Sequence, residues 1–482
     1  MDRNTIIGFV LMALVLIGFS YYSTPSAEQI HYQQQADSIA AAERLRQAEQ
    51  AEATQRAADA QREALAQDST SLLFSVRTGT EQTVELKNSL IRLTLNTKGG
   101  GIEQAELLNY KDRSRKNNLR LFTPETAHMR FLLGTKTENI RTDELFFEAL
   151  NPTDSSVTMR LALQDGGTLD FIYNLQPEAY IVNLTVKAIG MDNIFLPQQN
   201  MLGIEWTDAV KPQEKGYSFE NRYSTLTYHE ADGSTSNLSE TKKDDKKIDE
   251  AIDWVAFKNQ FFSAIIIAPF GEFTDGELHS YPFHVPDNLP KEEREAFLKT
   301  YVAKLQTAFD PTGTQPTQLQ FYLGPNDHHL LKAHNKLCLN SGKNLELEDL
   351  VYLGWPIIRW INRWFIIYLF DGLSALGLHM GLVLLLLTLI VKLIVYPTTR
   401  KSFLSSARMR VLKPKVDMLN AKYPKKEDAM KKQQEMMQLY SQYGVSPMGG
   451  CLPMLIQMPI WIAMFNFVPN AIQLRGQSFL WI

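Results

Sequence analysis

The sequence predicts a multidomain α+β membrane protein. Three observations carry that prediction: two apolar stretches flank a basic hairpin late in the chain, an apolar run opens it, and a long region of short alternating strands lies between. The first late stretch, 374–397, contains LGLHMGLVLLLLTLIVKLIVYP, whose one charge is Lys392. It meets the roughly 20 apolar residues that a hydrocarbon core demands. The second, 449–470, contains CLPMLIQMPIWIAMFNFVP, in which Pro453 and Pro459 predict a kinked helix.

Taken in order, residues 1–25 form an N-terminal apolar anchor, with Thr5 to Tyr22 able to insert. The small residues that follow also fit a signal-peptidase site, although the run is long for a signal, and either reading exports what comes next. Residues 26–70 are rich in Ala, Gln and Glu and read as a solvated helix or a partly disordered linker. Residues 71–345 alternate apolar and polar positions between turn residues, the pattern of an all-β domain of sandwich size. Within it the histidines His328, His329 and His334 read as surface residues, since neighbours in sequence point different ways. The net charge of −4 averages over very unlike parts. Cys338 and Cys451 are the two cysteines, and the second lies at a span end, so stability must come from core burial.

Residues 349–372 predict an amphipathic helix in the headgroup region, with Trp355, Trp360 and Trp364 partly immersed and Arg359 and Arg363 turned to phosphate. The hairpin 398–448 has a large excess of Lys and Arg, including Lys425, Lys426, Lys431 and Lys432, which makes it cytoplasmic by the positive-inside rule. Its stripes Met409, Leu412, Val416, Leu419, Tyr423 and Met430, Met437, Tyr440 predict two helices buried against each other. Residues 471–482 begin a loop on the opposite side.

The run VKLIVYPTTRKSFLSSARMRVLKPK, followed by QQEMMQLYSQYGVSPMGGCLPMLIQMPIW, closely resembles the YidC insertase family, which has mitochondrial and chloroplast relatives. LIRLTLNTKGGGIEQAELLNY, WVAFKNQFFSAIIIA and QFYLGPND resemble the family's large periplasmic domain. The resemblance implies a β super-sandwich, an N-terminal helix that is kept, a periplasmic amphipathic helix at 349–372, and a five-helix insertase core. Two of those five lie here, so the chain reads as truncated.

The family also implies a function. Lys392, where relatives usually carry Arg, would stand in a hydrophilic groove with Thr388 and Gln457, and Leu452, Pro453, Met458 and Pro459 would line a slide into lipid. From the residues alone Lys392 is equally a snorkelling cation and Gln457 interhelical glue. The implied partners are nascent membrane proteins, the phospholipid membrane, the Sec translocon with its accessory proteins, and the ribosome and signal recognition particle pathway, with docking on Lys425, Lys426, Lys431 and Lys432. No DNA, cofactor, metal or catalytic residue is expected, because the chain has no P-loop, dinucleotide fingerprint or nucleophile motif. A membrane-anchored periplasmic sugar-binding or sugar-processing protein stays open on the β domain alone, and a Sec-associated scaffold stays open beside it.

Overall fold

The computed structural model describes residues 71–136, 139–164, 166–196, 198–286, 288–338, 342–423, 428–444 and 452–478. The expected anchor 1–25, the linker 26–70, and Lys425 and Lys426 lie outside the described residues. The chain divides into two compact units, Met1–Arg77 and Thr78–Ile482. Everything below belongs to the second.

Its first part is a β sandwich. One sheet has four antiparallel strands in sequence order: β1 (Thr83–Lys87), β2 (Ile91–Asn96), β3 (Ile102–Lys111) and β4 (Asn118–Phe122). The remaining strands are β5 (Ala127–Gly134), β6 (Asn139–Arg141), β7 (Glu148–Leu150), β8 (Ser156–Ala162), β9 (Thr168–Leu175), β10 (Ile181–Ile189), β11 (Met201–Val210), β12 (Thr225–Glu230), β13 (Thr235–Asn237), β14 (Asp244–Lys247), β15 (Ile252–Lys258), β16 (Phe262–Ile267), β17 (Phe273–Pro282), β18 (Lys299–Ala308) and β19 (Thr317–Pro325). Twelve of them run side by side as β6-β5-β11-β18-β17-β15-β16-β19-β10-β9-β8-β7, with β12, β13 and β14 paired at the margin.

Strict alternation builds this architecture. In β11 every second residue is buried, and in β10 Val182, Leu184 and Val186 turn inward while Asn183, Thr185 and Lys187 turn out. The central strands β15 and β16 are buried on both faces. Aromatic side chains join the two sheets: Phe122 of β4 packs edge-on against Trp206 of β11, and Tyr110 of β3 against Phe262 of β16. Gly276, at φ +144°, stands just after the irregularity between Phe273 and Asp275 in the pairing of β17 with β18, and an added Cβ there would meet the Lys304 carbonyl at 2.0 Å.

The helices follow: α1 (Tyr217–Tyr223) interrupts the strands, α2 (His328–Cys338) closes them, and then come α3 (Pro356–Ile361), a π turn (Asn362–Ile366) and α4 (Ile367–Ser374). Next are α5 (Met380–Lys422), α6 (Ala429–Gln442) and α7 (Leu452–Asn470). The element expected over 349–372 begins only at Pro356, which stands at the first helical turn where its missing N–H costs nothing. Helix α5 runs past the predicted end of the apolar stretch at 397, continuing through Pro397 and Pro414 into the basic region. Among the described residues, Met380–Arg400 is the one stretch long and apolar enough to cross a membrane by length and composition, with mean hydropathy 2.3.

Candidate functional site

Helix α5 presents two different faces. Val383, Leu387 and Val391, four apart, are buried as a packing seam. On a neighbouring face Thr388, Lys392, Val395 and Thr399 follow one another at intervals of four, three and four. Lys392 is exposed and has no hydrogen-bond or ion-pair partner among the described residues. Thr388 donates to the Leu384 carbonyl (2.9 Å) and Thr399 to the Val395 carbonyl (3.1 Å), so both hydroxyls are satisfied within the helix. From Lys392 the rise to Arg400 is about 12 Å, against about 18 Å back to Met380.

Gln457 of α7 does face α5, but its amide donates to Thr399 Oγ1 at 2.5 Å. The sequence reading grouped Gln457 with Thr388, which lies about 16 Å away along the helix. The residue that Gln457 meets, Thr399, stands seven positions from Lys392 on the same helix face, a spacing present in the sequence. On α7, Met458, Trp461 and Phe465 form one exposed apolar face, with Pro459 half-buried beside it. Leu452 and Pro453 occupy the first turn of that helix.

The α3–α4 segment is amphipathic, with a correction to its charges. Ile358, Ile366, Ile367 and Phe370 face inward, Phe370 against Phe467 of α7 at 5.2 Å, while Trp360, Trp364 and Tyr368 stand 64%, 65% and 61% exposed at four-residue spacing. Trp355, just before the helix, is also exposed. Arg359 and Arg363 are engaged within the protein and remain partly exposed. Both close on the buried carboxylate of Asp349, Arg359 Nη1 at 2.8 Å from Oδ2 and Arg363 on Oδ1. A buried carboxylate needs that pairing, and the two cations one turn apart provide it.

The hairpin also departs from expectation. Of the first stripe Leu412 is buried and Met409, Val416, Leu419 and Tyr423 are half-buried, but Met430 and Met437 are exposed. The face of α6 that turns inward carries Lys432, Met436, Leu439 and Tyr440 instead. Polar contacts close the pair: Lys422 meets Glu435 at 2.9 Å, Tyr423 donates to Glu435 at 2.6 Å, and Lys415 bonds the Tyr443 hydroxyl. Lys431 is exposed and Lys432 half-buried.

Two family models match these regions. That described as YidC periplasmic domain covers residues 83–368, and that described as 60Kd inner membrane protein covers 372–482. The chain belongs to the YidC family. A Phocaeicola vulgatus membrane protein insertase YidC is 52% identical over all of this chain and 76% of its own length, and a Bacteroides fragilis one is 48% identical over the same shares. A solved structure described as an active YidC insertase with its first transmembrane domain resolved is 16% identical, covering 85% of this chain and 78% of that one, at TM-score 0.28. YidC relatives are inner-membrane proteins with a periplasmic domain, and the β sandwich here is that domain.

In this YidC chain the segment after α7 is tied to the sandwich. Arg475 pairs with Glu214, bonds the Lys111 and Gln213 carbonyls, and lies 5.0 Å over the Phe262 ring. Gln260 donates to the Pro469 carbonyl and Gln473 to Asp327, both at 2.7 Å. The histidine reading is corrected as well. His334 is buried edge-on to Tyr322 and His328 is half-buried, and burial pushes both rings down to about 4. His329 is exposed and reaches Asp371 of α4 at 2.8 Å. The carboxylates of Glu230, Asp232 and Glu250 gather within 4.8 Å at the surface, but Glu230 already serves Ser234 and Lys246.

Proposed function

We propose that this chain is a membrane protein insertase and chaperone of the bacterial inner membrane, in which Lys392 receives the polar part of an incoming segment. The supporting observation is an exposed, unpartnered ammonium inside the apolar stretch Met380–Arg400. A cation so placed is costly unless it has water or an anion. Thr388 and Thr399 extend the polar face toward Gln457, which gives that water and anion a path from the Arg400 end. At an effective dielectric near 20, a carboxylate about 4 Å from Lys392 is attracted by about 4 kcal/mol before desolvation is subtracted. The net gain is smaller, and it suits a transient partner.

The apolar part of the substrate then moves along Leu452, Pro453, Met458 and Pro459, beside the exposed Trp461 and Phe465, into lipid. Partition into lipid drives the step, so no nucleotide is needed. The excess of Lys and Arg in 398–448 places the hairpin in the cytoplasm and the sandwich outside. Trp355, Trp360, Trp364 and Tyr368 then rest in the outer headgroup layer, while Arg359 and Arg363 hold the helix to Asp349. The charge of Lys425, Lys426, Lys431 and Lys432 attracts the ribosome and signal recognition particle pathway to the hairpin. Cooperation with the Sec translocon and its accessory proteins belongs to the same reading.

The experiment is protease protection of inserted substrate in proteoliposomes. Lys392→Arg should retain insertion of an acidic-headed substrate, Lys392→Ala should impair it, and Lys392→Glu should impair it further. A neutral-headed substrate should suffer less. Equal insertion by Lys392→Ala and the parent, at equal accumulation, reduces Lys392 to a snorkelling anchor.

A further inference from the structure

On the outer face of the large sheet, three neighbouring strands line up uncharged polar side chains. Asn183 of β10 stands opposite Asn174 of β9 on one side and Gln320 of β19 on the other. Two residues on, Thr185 stands opposite Gln318, which is exposed. With the turn that leaves β16 they enclose a groove of about 580 Å³, and that turn offers Phe270, 62% exposed. None of the lining residues is ionisable, in a chain where 21% of residues are charged. Gln320, itself buried, donates to Asn183 Oδ1 at 2.9 Å, which orients the Asn183 amide and leaves its NH₂ to donate.

We propose that this groove binds a neutral oligosaccharide. Amides and a hydroxyl supply adjacent donors and acceptors, as vicinal sugar hydroxyls do, and an exposed ring supplies a platform for the C–H face of a pyranose. Other ligand classes fit less well. A charged ligand would find no counter-ion, and an apolar one would desolvate the amides without pairing them. An extended peptide has no edge to join, because β10 is already paired with β9 and β19, and β19 with β10 and β16. The proposal is independent of the insertion reading, since Phe270 and Gln318 lie far in sequence from Lys392 and touch none of its helix.

The test is a glycan array of neutral and acidic bacterial-envelope oligosaccharides probed with the full chain in nanodiscs, followed by titration of chitotetraose and maltotetraose. We expect binding of at least one neutral glycan and weaker binding of an acidic glycan of the same backbone. Phe270→Ala should lower the affinity on the order of tenfold. Gln318→Ala should lower it severalfold, and both variants should keep the parent melting temperature because both side chains are exposed. An array without a bound neutral glycan overturns the proposal. So does preference for acidic glycans, or binding that neither substitution changes.

Discussion

Asp349 shows how a single residue sets the character of a helix. Its carboxylate lies under the α3–α4 segment and takes both Arg359 and Arg363, so the exposed face of the segment is led by Ile357, Trp360, Trp364 and Tyr368. Asp349→Ala should cost about 1–3 kcal/mol, below the full value of a buried pair because both arginines are partly exposed. A lower thermal midpoint in detergent checks this, and an unchanged midpoint contradicts it. His334 makes a second prediction at this scale. Its folded pKa of about 4 lies below the unfolded value, so the unfolded chain binds the extra proton first. Stability is therefore complete above about pH 6.5 and declines as pH falls toward 4, by at most about 3 kcal/mol for this ring. Melting midpoints at pH 7 and pH 4.5 measure the slope, and His334→Leu should flatten it. Neither role was legible in the sequence. Asp349 pairs across 10 and 14 positions through a turn, and the burial of His334 depends on where Tyr322 of β19 falls.

At the scale of elements, periodicity foretold existence better than facing. The alternation in β10 and the apolar run of α5 were plain from the order of apolar and polar residues. The inward face of α6 was not. Methionines at 430 and 437 offered a heptad, but the pairing of Glu435 with Lys422 and Tyr423 rotates the helix so that Met436 and Leu439 face α5. Substituting Met436 or Leu439 by Asp should therefore open the hairpin and speed tryptic cleavage roughly tenfold, equivalent to about 1.4 kcal/mol of opening. Met437→Asp should leave cleavage unchanged. If Met437→Asp is the damaging change, the orientation of α6 described above is wrong. Helix α5 carries Pro397 and Pro414 and still ends only at Lys422, since a proline is tolerated inside a helix that packing and length already hold.

At the scale of the molecule, the fold class and the family signature could be read from sequence because both rest on long patterned stretches. The join between sandwich and helices could not. It depends on Arg475, Gln260 and Gln473, isolated polar residues whose partners lie between 146 and 364 positions away. Arg475→Ala should loosen the segment after α7, visible as faster amide exchange over residues 471–477 with the sandwich strands unaffected. Topology is testable with Cys338 and Cys451 replaced by Ser. A membrane-impermeant thiol reagent applied from outside should label Asp192→Cys in the sandwich and spare Ser441→Cys in α6. The reverse pattern would invert the orientation proposed from the basic hairpin.

If Lys392 acts on its substrate by charge, reversing the charge of both partners should restore insertion. Protease-protected insertion should be compared for the parent and Lys392→Glu, each with an acidic-headed substrate and with the same substrate carrying Lys in place of its acidic residues. Lys392→Glu should fail with the acidic head and regain most of its insertion with the basic one, while the parent shows the opposite preference. Equal failure of Lys392→Glu with both substrates, at normal accumulation, would contradict it.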